Sequence, residues 1–102
     1  MTEKYVALLK KNNMKNKIKI ETVDFNRKQI DKIDQKIFTL IEERMDYVKK
    51  IGKIKKEKKL KIIDPKREEE IIEKHSKRTT LKKEFIKNFY QLIFTESHKK
   101  QK

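Results

Sequence analysis

Cysteine is absent from this sequence, so neither a disulfide nor a Cys-based metal site is available to it. Glycine and proline occur once each, as Gly52 and Pro65. So few breakers, with little β-branched alternation, argue for long helices and an all-α fold. The two histidines, His75 and His98, stand far apart without an HxxxH-type partner. They read as surface residues rather than ligands, and no metal is expected. No apolar run approaches the roughly 18 residues of a membrane span. The stretch YVALL at 5–9 is too short for a secretory h-region, and no small-residue cleavage site follows it. The expected location is cytoplasmic, with no membrane partner.

Arginine is scarce too. Of 30 basic residues only four are Arg: Arg27, Arg44, Arg67 and Arg78. A chain that uses Lys almost everywhere has kept Arg in a few places. Arg presents a planar fork suited to bidentate carboxylate binding, which Lys does not, so these positions are candidates for a site. The formal charge of +14 has two readings, a polyanion partner or Lys written on every exposed helical face. The lysines are interleaved with 16 acidic residues, which favours the second, and no nucleic-acid partner is expected. A positive field still speeds the capture of an anionic substrate.

What is present is helical periodicity. With 34% apolar and 45% charged residues, the chain stands near the limit of what can bury a core. It is one small domain, and oligomerisation is expected to complete a thin core. Residues 1–23 are weakly periodic and rich in Lys and Asn, with a short alternation KIKIETV. They predict a basic N-terminal arm, partly ordered, ahead of a domain over 24–102. Asp24 or Asn26 is the expected cap of a first helix over about 26–59. Its apolar positions run Ile30, Ile33, Ile37, Leu40, Ile41, Val48, Ile51, Ile54, a heptad-like stripe. Such a helix is about 50 Å long, too long for a small globule unless it packs along a partner. KLKII at 59–63 is the break. Asp64 caps a short second helix, Pro65 suits its first position, and Glu68, Glu69 and Glu70 suit its positive end. That helix ends near Ser76. Thr79 or Thr80 is expected to cap a third helix of medium length, with Leu81, Phe85, Phe89, Leu92 and Ile93 on its buried face.

Polar residues interrupt the stripes. Ile30, Ile37, Arg44 and Ile51 are spaced by seven, as are Asp34, Ile41, Val48 and Lys55. Arg44 and Lys55 therefore fall within roughly 20° of one face, about 16 Å apart along the axis. Each alone could snorkel to water. Two on one seam, one of them a scarce Arg, point to a pocket for an anionic small molecule. Gly52 between them either allows close helix packing or leaves room for a ligand. Ser97 and Gln101 continue the Phe89–Ile93 face with neutral hydrogen-bonding groups, unless the helix end frays. Capping explains Asp64 but not Arg67, a cation at the helix end that prefers anions. Arg27 lies 17 residues before Arg44, about 25 Å along a straight helix, and cannot share its pocket within one chain. Two long helices paired antiparallel would bring Arg27 of one chain to the middle of the other.

The run RKQIDKIDQKIFTLIEERMDYVKKIGKIK, then DPKREEEII, then FIKNFYQLIFTESHKKQ resembles the all-α (AroQ-type) chorismate mutases. The resemblance covers about residues 24–101. It is carried by the combination of Arg27, Asp34, Glu43–Arg44, Gly52 with Lys55, D-x-x-R-E at 64–68, and Ser97 with Gln101. It implies three helices per chain, an intertwined homodimer with two shared active sites, and the [3,3] rearrangement of chorismate to prephenate without a cofactor. By the same resemblance, Arg27 of the other chain and Arg44 would clamp substrate carboxylate. Lys55 would serve a carboxylate and the ether oxygen, to which Gln101 also donates. Glu68, helped by the Asp64 backbone, would hold the ring hydroxyl, and Arg67 and Ser97 would complete the ring-carboxylate side. Alternatives are an isochorismate–pyruvate lyase on a similar scaffold, a basic nucleic-acid-binding helix protein, and a regulatory module that works with a second shikimate-pathway enzyme.

Overall fold

The computed structural model describes residues 22–102. The arm expected over 1–23 lies outside the described residues but for its last two. Among the described residues all regular structure is helical: α1 spans Val23–Glu57, α2 spans Pro65–Ser76 and α3 spans Lys83–Gln101. The order is long, short, medium, as the periodicity predicts. No helix among the described residues is long and apolar enough to cross a membrane. The chain divides into two compact units between Leu40 and Ile41.

In the N-terminal unit, α1 begins three residues earlier than its periodicity suggests, because Thr22 caps it. Its Oγ1 accepts a bond from the Phe25 N–H at 3.0 Å, satisfying one of the orphan donors of a helix start. Asn26 instead donates its side-chain amide back to the Thr22 carbonyl at 2.8 Å. Asp24 sits inside the first turn, where a negative charge suits the helix end. Neither expected residue is the cap. Ile30, Ile33, Ile37, Phe38 and Leu40 are all exposed.

The C-terminal unit holds the rest of α1 with α2 and α3. α1 stops where Lys59 turns into the left-handed region, φ 58°. The Leu60 N–H then reaches the Lys55 carbonyl at 2.8 Å and the Lys59 N–H reaches that of Lys56 at 3.2 Å. These paired bonds close orphan carbonyls in a Schellman turn, usually built on Gly. α2 starts as its sequence dictates: Asp64 Oδ1 accepts from the Arg67 N–H at 3.1 Å, and Pro65 occupies the first turn. α3 departs from expectation. It begins at Lys83 behind an extended Lys82 that offers no side-chain cap. Thr79 Oγ1 accepts from the Leu81 N–H at 3.2 Å, so it shapes the turn two residues upstream rather than capping the helix.

The core is small. Met45 and Val48 of α1 pack on Ile93 of α3, with Ile41 and Tyr90 at the edge. Tyr90 is the middle ring of a stack, with centroids 5.7 Å from His75 and 5.2 Å from Phe94. Burial pushes its phenol above the usual tyrosine range, partly opposed by the Arg44 charge. On α3 the covered stripe is Ile86, Ile93, Phe94, Ser97 and Gln101. Leu81, Phe85, Phe89 and Leu92, expected inside, are exposed. α3 carries two apolar stripes, and among the described residues only one of them is covered.

The Lys59 turn generates a test. A non-Gly residue in the left-handed region carries a steric cost that glycine escapes. Lys59→Gly is expected to raise stability by about 0.5–1 kcal/mol, read from urea unfolding with an unchanged m-value.

Candidate active site

A cavity of about 240 Å³ opens within the C-terminal unit. Val48, Ile51, Ile62, Ile71 and Phe94 give it an apolar wall. Its polar wall brings together Arg44 and Lys55 from α1, Asp64, Arg67 and Glu68 from the start of α2, and Ser97 and Gln101 from the end of α3. Seven of the eight residues to which the resemblance gives a role line this one space; Arg78, the remaining scarce arginine, is exposed and does not line it. The eighth, Arg27, belongs to the N-terminal unit, is exposed, and does not line it.

Each polar group is set by its element. Arg44 is half-buried and donates from Nη1 to Ser97 Oγ at 2.9 Å. Ser97 is 5% exposed, and its hydroxyl donates in turn to the Ile93 carbonyl at 2.7 Å. Lys55 donates from Nζ to the Ile62 carbonyl at 2.6 Å, which ties the end of α1 to the turn before α2. An ammonium has three donors, so two remain for a ligand. The Asp64 cap fixes the first turn of α2, with the Glu68 N–H bonded to the Asp64 carbonyl at 3.1 Å. Arg67 and Glu68 are carried on that turn. The Arg67 guanidinium makes no ion pair among the described residues.

Gln101 is the last residue of α3 and is 8% exposed. Its Nε2 makes one long bond to the Ser97 carbonyl at 3.4 Å, and its Oε1 is buried without a partner among the described residues. Gly52 explains how it comes so close. A Cβ on Gly52 would lie 2.6 Å from Gln101 Cα and 2.8 Å from its carbonyl oxygen, both nearer than atoms approach. Of the two readings left open by the sequence, close helix packing is the one observed.

Sequence reasoning missed His98. It is not a surface residue: it lines the cavity, and its Nε2 lies 2.6 Å from Glu68 Oε2. The available signal was its spacing, four residues after Phe94 and three before Gln101, which puts it on the same face. His75 is likewise half-buried, in its stack with Tyr90.

Three helices and the turn before α2 thus frame a cavity whose cations outnumber its carboxylates, the makings of an all-α binding site for a small anion. Residues 26–102 match the family described as chorismate mutase type II, and the chain belongs to that family. Among curated proteins, it is 50% identical over 48 residues to the bifunctional chorismate mutase/prephenate dehydratase of Aquifex aeolicus (strain VF5), covering 47% of this chain and 13% of that protein. It is 39% identical over 79 residues to the protein of the same description from Buchnera aphidicola subsp. Acyrthosiphon pisum (strain APS), covering 74% of this chain and 20% of that protein. The chain therefore spans no more than a fifth of the length of these relatives.

Gly52 sets two effects against each other. Helix propensity alone makes Gly→Ala stabilising by about 1 kcal/mol, whereas the clash with Gln101 is destabilising by about 1–3 kcal/mol. Gly52→Ala is expected to lower the melting temperature, and an increase would mean that α3 can move aside freely.

Proposed function

We propose that the chain is a chorismate mutase, an isomerase that rearranges chorismate to prephenate for aromatic amino acid biosynthesis. The observation that carries this reading is the convergence of Arg44, Lys55, Arg67, Glu68, Ser97 and Gln101 on one cavity in a chain of the type II family. The reaction is a [3,3] shift: an ether C–O bond breaks as a C–C bond forms, with no nucleophile and no change of redox state. An enzyme can accelerate it by holding the compact diaxial conformer and by stabilising the charge that develops on the ether oxygen.

In this reading the cations grip a dianion. Arg44 and Arg67 hold carboxylate. Lys55 keeps a donor for a second carboxylate and another for the ether oxygen. The Gln101 amide, weakly engaged at 3.4 Å, donates to the ether oxygen from the opposite side. Glu68 accepts from the ring hydroxyl beside the Asp64 backbone, and Ser97 orients Arg44 through the 2.9 Å bond. Arg27 comes from a second chain. What supports a two-chain assembly is the run Ile30, Ile33, Ile37, Leu40, Tyr47, Ile51 and Ile54, all on one helix and all exposed in the single chain. Apolar surface this extensive is expected to find a partner, and the spacing fits a helix-on-helix seam. A second shikimate-pathway enzyme is a further partner in this reading, since both relatives carry prephenate dehydratase in their names.

The direct test incubates purified chain with chorismate and, separately, with isochorismate. Prephenate is expected; salicylate with pyruvate from isochorismate would instead mark a lyase. Arg44→Ala and Lys55→Ala are each expected to lower kcat by about a hundredfold or more, the scale for losing a charge-stabilising donor. Near-normal turnover in either would remove that residue from the proposed chemistry.

Sharing of sites has its own test. Mixing inactive Arg27→Ala and Lys55→Ala chains should regenerate one working site per heterodimer. Subunit exchange proven by mass, without recovery of turnover, would exclude a donated Arg27.

A further inference from the structure

The proposed reaction leaves one cavity-lining group without a role, His98. Its Nε2 stands 2.6 Å from Glu68 Oε2, and the two side chains are only 24% and 25% exposed. The contact joins the last turns of α3 to the first turn of α2. A carboxylate only accepts, so Nε2 carries the proton on this line. Glu68 Oε1 has no protein partner among the described residues.

We infer that His98 is a positioning residue for Glu68: it anchors Oε2 so that Oε1 is held ready to accept a hydroxyl of the bound substrate. The inference rests on the chorismate mutase reading, in which Glu68 takes the ring hydroxyl. An untethered glutamate loses its rotamer freedom each time a ligand binds. A tethered one has lost it beforehand, which strengthens binding without any new ligand contact. His98 also occupies one of the two carboxylate oxygens with a donor, which shapes Glu68 as an acceptor of a single hydroxyl rather than a bidentate partner for Arg67 or Lys55. The ring hydroxyl is vicinal to the ether that breaks but exchanges no bond itself, and Glu68 meets it in the bound diaxial substrate as in the transition state. Its grip therefore acts on ground state and transition state alike, and His98 should govern KM more than kcat.

Steady-state kinetics on the full chain, with His98→Leu, His98→Gln, Glu68→Gln and the His98→Leu/Glu68→Gln double variant, provide the test. His98→Leu is expected to raise KM about tenfold, the scale of a hydrogen bond to a charged group, with a smaller change in kcat. His98→Gln, whose amide nitrogen donates at similar reach, is expected to recover most of that loss. The double variant should be little worse than Glu68→Gln alone, since the two residues act as one unit. Additive losses, or a His98→Gln variant as poor as His98→Leu, would overturn the inference and reduce His98 to packing. A second readout needs no turnover: the His98 Nε2–H resonance in the NMR spectrum should move in Glu68→Gln. A resonance indifferent to that substitution overturns the contact. A wild-type chain that leaves chorismate untouched while the resonance responds would instead overturn the reaction, and the role with it.

Discussion

The approach of α3 to α1 at Gly52 is the constraint on which the rest of the site depends. Gln101 Cα stands where a side chain on residue 52 would have to be, so the two backbones touch with nothing between them. This contact and the Met45, Val48 and Ile93 cluster fix α3 at two levels. A slip of one residue along α3 would rotate its face by about 100° and move it about 1.5 Å. Ser97 would leave Arg44, His98 would leave Glu68, and Gln101 would leave the cavity. The single glycine of the chain therefore does more than tolerate close packing. It sets the register that gathers three polar side chains of α3 opposite two cations of α1.

The partners chosen by those cations matter as much as their position. Arg44 donates to a serine hydroxyl and Lys55 to a backbone carbonyl. Both acceptors are neutral. They satisfy donors that would otherwise be partly buried at a cost, yet they cancel none of the positive charge. A carboxylate partner in either place would have consumed the field that an anionic ligand needs. Glu68 shows the complementary choice, with its charge held by a histidine rather than by the lysine or arginines of the same wall. Charges of opposite sign are thereby kept apart in one small cavity.

Periodicity and rarity were the legible signals. The 3.6-residue pattern gave three helices and the 59–63 break because burial on one face leaves that imprint directly. Arg44 and Lys55 stood out because a cation in an apolar seam is locally improbable, and Asp64 because Pro65 follows it. The caps of α1 and α3 were less legible. Thr22, Asp24 and Asn26 are all competent to cap, as are Thr79 and Thr80, and the choice among them is made by how the chain enters the helix rather than by residue type. His98 was obscured for a different reason. A lone histidine on a Lys-rich helix end resembles its solvated neighbours, and what distinguishes it is Glu68, thirty residues away in the sequence. Contacts between helices leave little imprint on either helix alone.

The exposed stripes carry the synthesis one step further. Residues 30, 33, 37, 40, 44, 47, 51 and 54 alternate by three and four, the spacing of a seam between paired helices. Every one of them is apolar except Arg44. A purely structural seam has no use for a cation at its midpoint, where the cost of removing charge from water is greatest. A purely catalytic arginine has no need to sit in a seam. Arg44 belongs to both patterns, since its guanidinium already turns to Ser97 in the cavity wall. On the two-chain reading, the same burial that covers the apolar residues also excludes water from around Arg44, and this strengthens its attraction for a carboxylate. On that reading assembly and substrate binding would not be separate properties of this sequence, because the residue that weakens the first would be the one that the second requires.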